Sequence, residues 1–205
     1  NVNVFVKSFA CFANCGTLVG IVEGDVSIDG ATVTVDNFFT NGFESGLLFG
    51  QVEGSISVAK TVAQGSFRIL SDVEEGRRNI GGIAGKQGAL GGQASNLTIE
   101  DSFIDFNLRE EPYVDDDSYL SVGGAVGFHA PDNDSSISVD GSMFDADFDQ
   151  VRYFGGLLGE LDASHKVDLD IVDSRFDSDV FGDDSTSGYS KMGGAIGSLE
   201  VGPDV

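Results

Sequence analysis

Basic residues are scarce in this chain: 11 Lys and Arg stand against 34 Asp and Glu, for a net charge of −23. Without a basic stripe there is nothing to neutralise phosphates, so nucleic acid is excluded as a partner and an anionic membrane surface is disfavoured. Long apolar runs are also missing. None approaches the roughly 18 residues of a membrane span, so no membrane insertion is expected. No basic segment followed by an apolar stretch opens the chain, which implies that it begins after processing or is an excised segment. Tryptophan is absent and histidine occurs twice, at His129 and His165. Sugar-cleaving grooves are commonly lined with aromatic and basic side chains, so this composition argues against an enzyme. The two histidines fall in different repeats and in loop-like surroundings, where exposed loop residues are expected rather than a base or a ligand. Only 3 prolines occur, alongside 29 glycines and 16 phenylalanines, a mixture suited to stacked strands with tight corners and aromatic filling.

What is abundant is a five-residue pattern, Gly, variable, apolar, apolar, Gly. It occurs six times, as Gly16–Gly20, Gly46–Gly50, Gly81–Gly85, Gly123–Gly127, Gly155–Gly159 and Gly193–Gly197. The closing glycines lie 30, 35, 42, 32 and 38 residues apart. Self-similarity at such a period marks a solenoid, a propeller or an array.

The residues after each copy choose among these. Leu97-Thr98-Ile99-Glu100-Asp101-Ser102-Phe103 has counterparts in Ile137–Phe144 and Leu169–Phe176. Apolar and polar residues alternate, an Asp or Gly interrupts, and an apolar strand resumes at Phe; period-two alternation between turn residues reads as strands. The expectation is three short strands per repeat: one framed by the glycines, one rich in Leu, Ile and Val, and one led by Phe. A propeller blade needs a fourth strand and tight hairpins, and no Trp-Asp signature is present. The sequence is therefore read as all-β, a right-handed parallel β-solenoid of five to six coils, forming a single domain over residues 1–205.

The motif resembles the GLUG repeat, a Gly-Gly-apolar-apolar-Gly pattern of long β-solenoid surface proteins and adhesins. The resemblance runs from about Cys15 to Leu199. It implies a stalk or scaffold rather than a catalyst. The second copy lacks the double Gly, having Leu47 there, and the first carries Thr17.

Smaller features complete the reading. Cys11 and Cys15 are too few for a tetrahedral metal site and suggest either a disulfide or two buried thiols, with the disulfide favoured in an oxidising compartment. Segments 107–120, 70–79 and 182–190 read as excursions that emerge at equivalent corners, either as a recognition edge or as tolerated surface loops. Asn96-Leu97-Thr98 and Asn133-Asp134-Ser135 are glycosylation sequons at Asn96 and Asn133. Asp145, Asp147 and Asp149 share one strand face, with Asp177 and Asp179 a coil later and Asp105 a coil earlier. Stacked in register they form like-charge ladders about 4.8 Å apart, read first as solvated charge and, as the lesser alternative, as weak surface sites for calcium. No other cofactor is implied.

The Gly-framed segments are apolar on alternate positions of both faces. If the interior takes Val19, Phe49, Ala84, Val126, Leu158 and Ile196, the other set becomes an apolar assembly face: Leu18, Leu48, Ile83, Ala125, Leu157 and Ala195. A patch of that size is expected to dock against another chain or to be covered by its own. Residues 2–9 read as the closing half of a repeat and residues 192–199 as an opening half, which suggests a longer array or head-to-tail stacking. Together these features lead to a non-enzymatic building block of an extracellular filament, appendage or surface fibre that self-associates head to tail, laterally, or both. The alternatives are an adhesin or carbohydrate-active β-helix meeting surface glycans and, last, an ice-binding solenoid, for which only Thr32 and Thr34 supply a regular pair.

Overall fold

The computed structural model describes residues 2–41, 43–69, 77–88, 93–110, 119–149, 153–178, 180–181 and 191–201. All regular structure among them is β, arranged in four parallel sheets that stack coil upon coil, a parallel β-solenoid. One coil runs Arg77–Gly81, Ala84–Gly88, Leu97–Glu100 and Phe103–Glu110, contributing one strand to each of sheets 1 to 4 in that order. Five such coils follow one another, preceded by Val2–Val6 and Phe9–Cys11 in sheet 4 and followed by Lys191–Gly193 and Ile196–Val201 in sheets 1 and 2. Each coil thus has four strands, where the sequence pattern suggested three.

The extra strand comes from the Gly motif, which is a corner and not a strand. The chain leaves sheet 1 at the first Gly, spends two residues turning, and enters sheet 2 at the fourth position: Arg77–Gly81, then Gly82-Ile83, then Ala84–Gly88. The donors freed by the turn find acceptors in the next coil. The amides of Ile83 and Ala84 both donate to the Ala125 carbonyl, at 2.8 and 3.1 Å, and those of Ala125 and Val126 both donate to the Leu157 carbonyl. Space, not dihedral freedom, demands the glycines, since none of those in the motif has a positive φ. A Cβ on Gly85 would strike the backbone of residues 44–45, and one on Gly127 that of residues 79–80, the sheet 1 strands of the coil before.

The second position of the motif is set by what lies across the core. A Cβ on Gly82 would overlap Ile104 and lie 3.2 Å from Phe106, and one on Gly156 would come within 2.6 Å of the Phe176 Cβ. Those side chains belong to sheet 4, whose inward positions carry the aromatic stack Phe9, Phe38, Phe67 and Phe106, with ring centroids 5.0, 4.6 and 5.5 Å apart. Phe144 and Phe176 continue it at 5.3 Å. In the second coil the sizes are exchanged: Leu47 fills the motif position, and Gly65, in register with Phe106, makes room for it.

The corner from sheet 3 to sheet 4 repeats a different device. Gly30, Lys60, Asp101, Gly141 and Asp173 all adopt positive φ, between 46° and 70°. In the last four of these coils a hydroxyl follows: Thr61, Ser102, Ser142 and Ser174. Each donates to the carbonyl two residues back, at 2.7–2.9 Å. The Ser102, Ser142 and Ser174 hydroxyls also accept the amide of their counterpart in the preceding coil, from Thr61 at 3.2 Å, Ser102 at 3.1 Å and Ser142 at 3.2 Å respectively. The hydroxyl column stands in for the strand ladder where the chain turns, so the turn amides of Thr61, Ser102 and Ser142 all have acceptors.

Candidate functional site

The expected assembly face is not a surface. Leu48, Ile83, Ala125 and Leu157 are fully buried, and so, at 0–1 % exposure, are Phe49, Ala84, Val126 and Leu158 beside them. A strand would have turned one set outward; a corner bends the chain around the core and brings two consecutive side chains inside. Leu18 and Ala195 are half-buried because their coils lie at the two ends of the described stack.

Apolar exposure gathers at those ends, and the two ends differ. Leu199 (56 % exposed) and Leu169 (46 %) occupy inward columns, in register with buried Leu161 and Ile137, and no later strand among the described residues covers them. In the first coil, outward columns are apolar as well. Phe5, 69 % exposed, shares its column with Thr34, Gln64, Asp105, Asp145 and Asp177. Ile21, 51 % exposed, shares its column with Gln51, Lys86, Phe128, Glu160 and Ser198. Phe12, at 71 %, projects from the turn between them. Sequence reasoning missed this collar, because it is visible only when each residue is compared with its counterparts in register.

That turn is closed by a disulfide between Cys11 and Cys15, whose Cα atoms lie 5.8 Å apart. Cys15 is buried, and the Thr40 hydroxyl donates to its sulfur at 3.5 Å and pairs with the Ser45 hydroxyl at 2.7 Å. The bond pins the start of sheet 1 beneath the exposed Phe12.

The acidic ladder forms in register: Asp105 pairs with Asp145, and Asp145 with Asp177, while Asn107 pairs with Asp147. Burial, followed by the charges of Asp105, Asp147 and Asp177, pushes the Asp145 carboxyl above its ordinary range, and Arg175 partly opposes this. Gln64 donates to Asp105 at 3.0 Å and the Arg175 guanidinium pairs with Asp177. The carboxylates stand in single file along one sheet and do not converge; among the described residues no group of three His, Cys, Asp or Glu side chains is placed to hold a metal ion. The Asp149 side chain and Asp179 lie outside the described residues, as does much of the three excursions. The excursions are anchored alike, each leaving sheet 4 and returning to sheet 1.

The sequon asparagines lie where sheet 2 gives way to sheet 3. The Asn96 side-chain carbonyl accepts the amide and hydroxyl of Ser136 in the next coil, at 2.9 and 3.1 Å, and the Asn133 main-chain carbonyl accepts the Ser135 hydroxyl at 2.8 Å. The histidines stand apart. His165 is exposed beside the Ser164 hydroxyl, in keeping with a loop residue. His129 is not a loop residue: it lies on the sheet 2 strand Val126–Ala130, wholly buried, and the expectation of exposure is corrected.

The class of protein that this geometry defines is a four-sided parallel β-solenoid with an apolar collar at its first coil. No protein-family model matches the chain, and no curated protein or solved structure matches it either.

Proposed function

We propose that the protein is a non-enzymatic structural building block of an extracellular or cell-surface filament, appendage or fibre, in which second copies meet end to end. The observation that carries this reading is the collar of exposed Phe5, Phe12 and Ile21: later coils give the Phe5 column to polar side chains throughout, and the Ile21 column to polar ones apart from Phe128. Three large apolar groups, 51–71 % exposed near one end of the stack, suit a surface that another chain covers. Leu169 and Leu199, exposed in the last described coil and strand, supply complementary apolar side chains. Parallel strands with free edges are templates for further pairing, and a head-to-tail contact that does not close on itself propagates as a fibre. The likeness to GLUG repeats points the same way through the stalks and scaffolds in which they occur. A lateral contact through Leu48 and Leu157 is no part of this reading.

Sedimentation or light scattering over a concentration series tests it. The mass of the wild-type chain is expected to rise with concentration, and Ile21→Lys with Phe12→Ser to return it to one chain while leaving the circular-dichroism spectrum of the fold unchanged. A wild-type monomer at high concentration, with both terminal coils protected from exchange, would sink the proposal.

A further inference from the structure

His129 sits in the fourth coil with its side chain fully buried, and neither ring nitrogen has a hydrogen-bond partner. Its counterparts in register are Gln87 before it and Leu161 after it. Gln87 gives both of its donor bonds elsewhere, to the Gly54 carbonyl at 3.0 Å and the Asn96 carbonyl at 2.8 Å, and its buried Oε1, which has no hydrogen-bond partner, does not reach the imidazole. Of the charged groups on the strands around it, Lys86 lies over the Phe128 ring at 5.9 Å, Glu160 is buried in register with Phe128 rather than with His129, and Asp162, Glu100 and Asp140 are exposed. Arg78, on the neighbouring sheet 1 strand, is itself buried, in register with Leu120.

We infer that His129 is a built-in acid trigger: a proton on its ring opens the fourth coil at sheet 2 while the coils at either end stay paired. The physics is that of a charge with no partner in an apolar interior. A neutral imidazole is tolerated there at the cost of two unmade hydrogen bonds, but an imidazolium must leave. Burial alone holds the group down, from its ordinary 6.5 to about 4. A group whose folded pKa is depressed binds its proton more readily when opened. The stability that it withdraws is therefore nil above about 6.5, grows as pH falls, and levels off below about 4. Asp145, whose carboxyl is raised by burial and neighbouring charge, responds in the opposite sense, since acid removes its repulsion. The effect of His129 is thus local and contrary to that of Asp145.

Amide hydrogen exchange between pH 7.5 and 4, corrected for the intrinsic rate, reads this directly. Opening of Val126–Ala130 and its partners Ala84–Gly88 and Leu158–Ala163 should rise by up to tenfold per pH unit, ~300-fold in total between 6.5 and 4. Residues 31–40 should change far less. In His129→Leu the local response should vanish. An equal response in every coil, or one that survives in His129→Leu, overturns the inference. Nuclear magnetic resonance titration of the wild-type imidazole needs no variant: a folded-state midpoint near the free value also overturns it, and one below about 5 upholds it.

Discussion

The exchange of sizes between Leu47 and Gly65 can be tested as a pair. Leu47 is fully buried, and its Cδ2 lies 2.5 Å from where a Cβ of Gly65 would stand. In the next coil the same two places hold Gly82 and Phe106. Leu47→Gly removes a whole core side chain. A Leu→Ala change at a buried site costs about 2–5 kcal/mol, and the looser Gly backbone adds ~0.5–1, so a loss near 4 kcal/mol is expected. Gly65→Phe alone drives a ring into the volume that Leu47 fills, an overpacking worth at least about 1–3 kcal/mol. Together the two substitutions rewrite the second coil in the pattern of the third, and most of both losses should return. The coupling energy from a denaturant double-mutant cycle should therefore be ~2–3 kcal/mol and favourable. Because stacked coils need not unfold as one unit, the cycle is best followed by exchange of the amides of residues 49–53 and 62–69 as well as by a global probe. Additive losses, with the double variant as unstable as the sum of the singles, would refute the argument that these two positions share one volume.

Two further outcomes follow from the corners and the ladder. Ser142→Ala should cost about 1–3 kcal/mol, because the buried Ser102 amide loses its acceptor, whereas Ser174→Ala at the exposed end should cost less; equal effects in urea titrations would remove the hydroxyl column from the list of stabilising devices. Asp145→Asn should stabilise at neutral pH. A carboxyl whose folded pKa is raised binds more protons when folded, so its favourable contribution is present below the unfolded value and is lost as pH rises through the folded one. Removing the charge recovers roughly 0.5 kcal/mol after allowance for solvent screening, and that gain should fade towards pH 3.5; a melting temperature that is unchanged at pH 7, or a gain that persists in acid, contradicts the ladder as a source of strain.

The parts of the fold that could be read from the sequence are those that every coil restates. Period-two alternation in Leu97–Glu100 and its counterparts located sheet 3, and Phe at the start of the next segment located sheet 4. What misled was a step of local logic. Two adjacent apolar residues between glycines were assigned to opposite faces, as a strand requires, whereas Ile83 and Ala84 are both inside because the chain turns between them. The glycines carry that information only through what they abut, the backbone of the coil before and the Phe side chains across the core, and neither is a neighbour in sequence. Leu47 looked like a lapse in the motif until Gly65 was seen opposite it. His129 makes the same point from the other direction. Its surroundings, Phe128 before and Ala130-Pro131 after, have the composition of a loop, and no local signal separates it from the exposed His165. Its place in the column of Val22, Val52, Gln87, Leu161 and Leu199 puts it in the core. In a stack of coils the environment of a residue is fixed by partners one period away. A position is therefore judged by its column, and a polar group in an apolar column, or an apolar group in a polar one such as Phe5, marks where something other than stability shaped the chain.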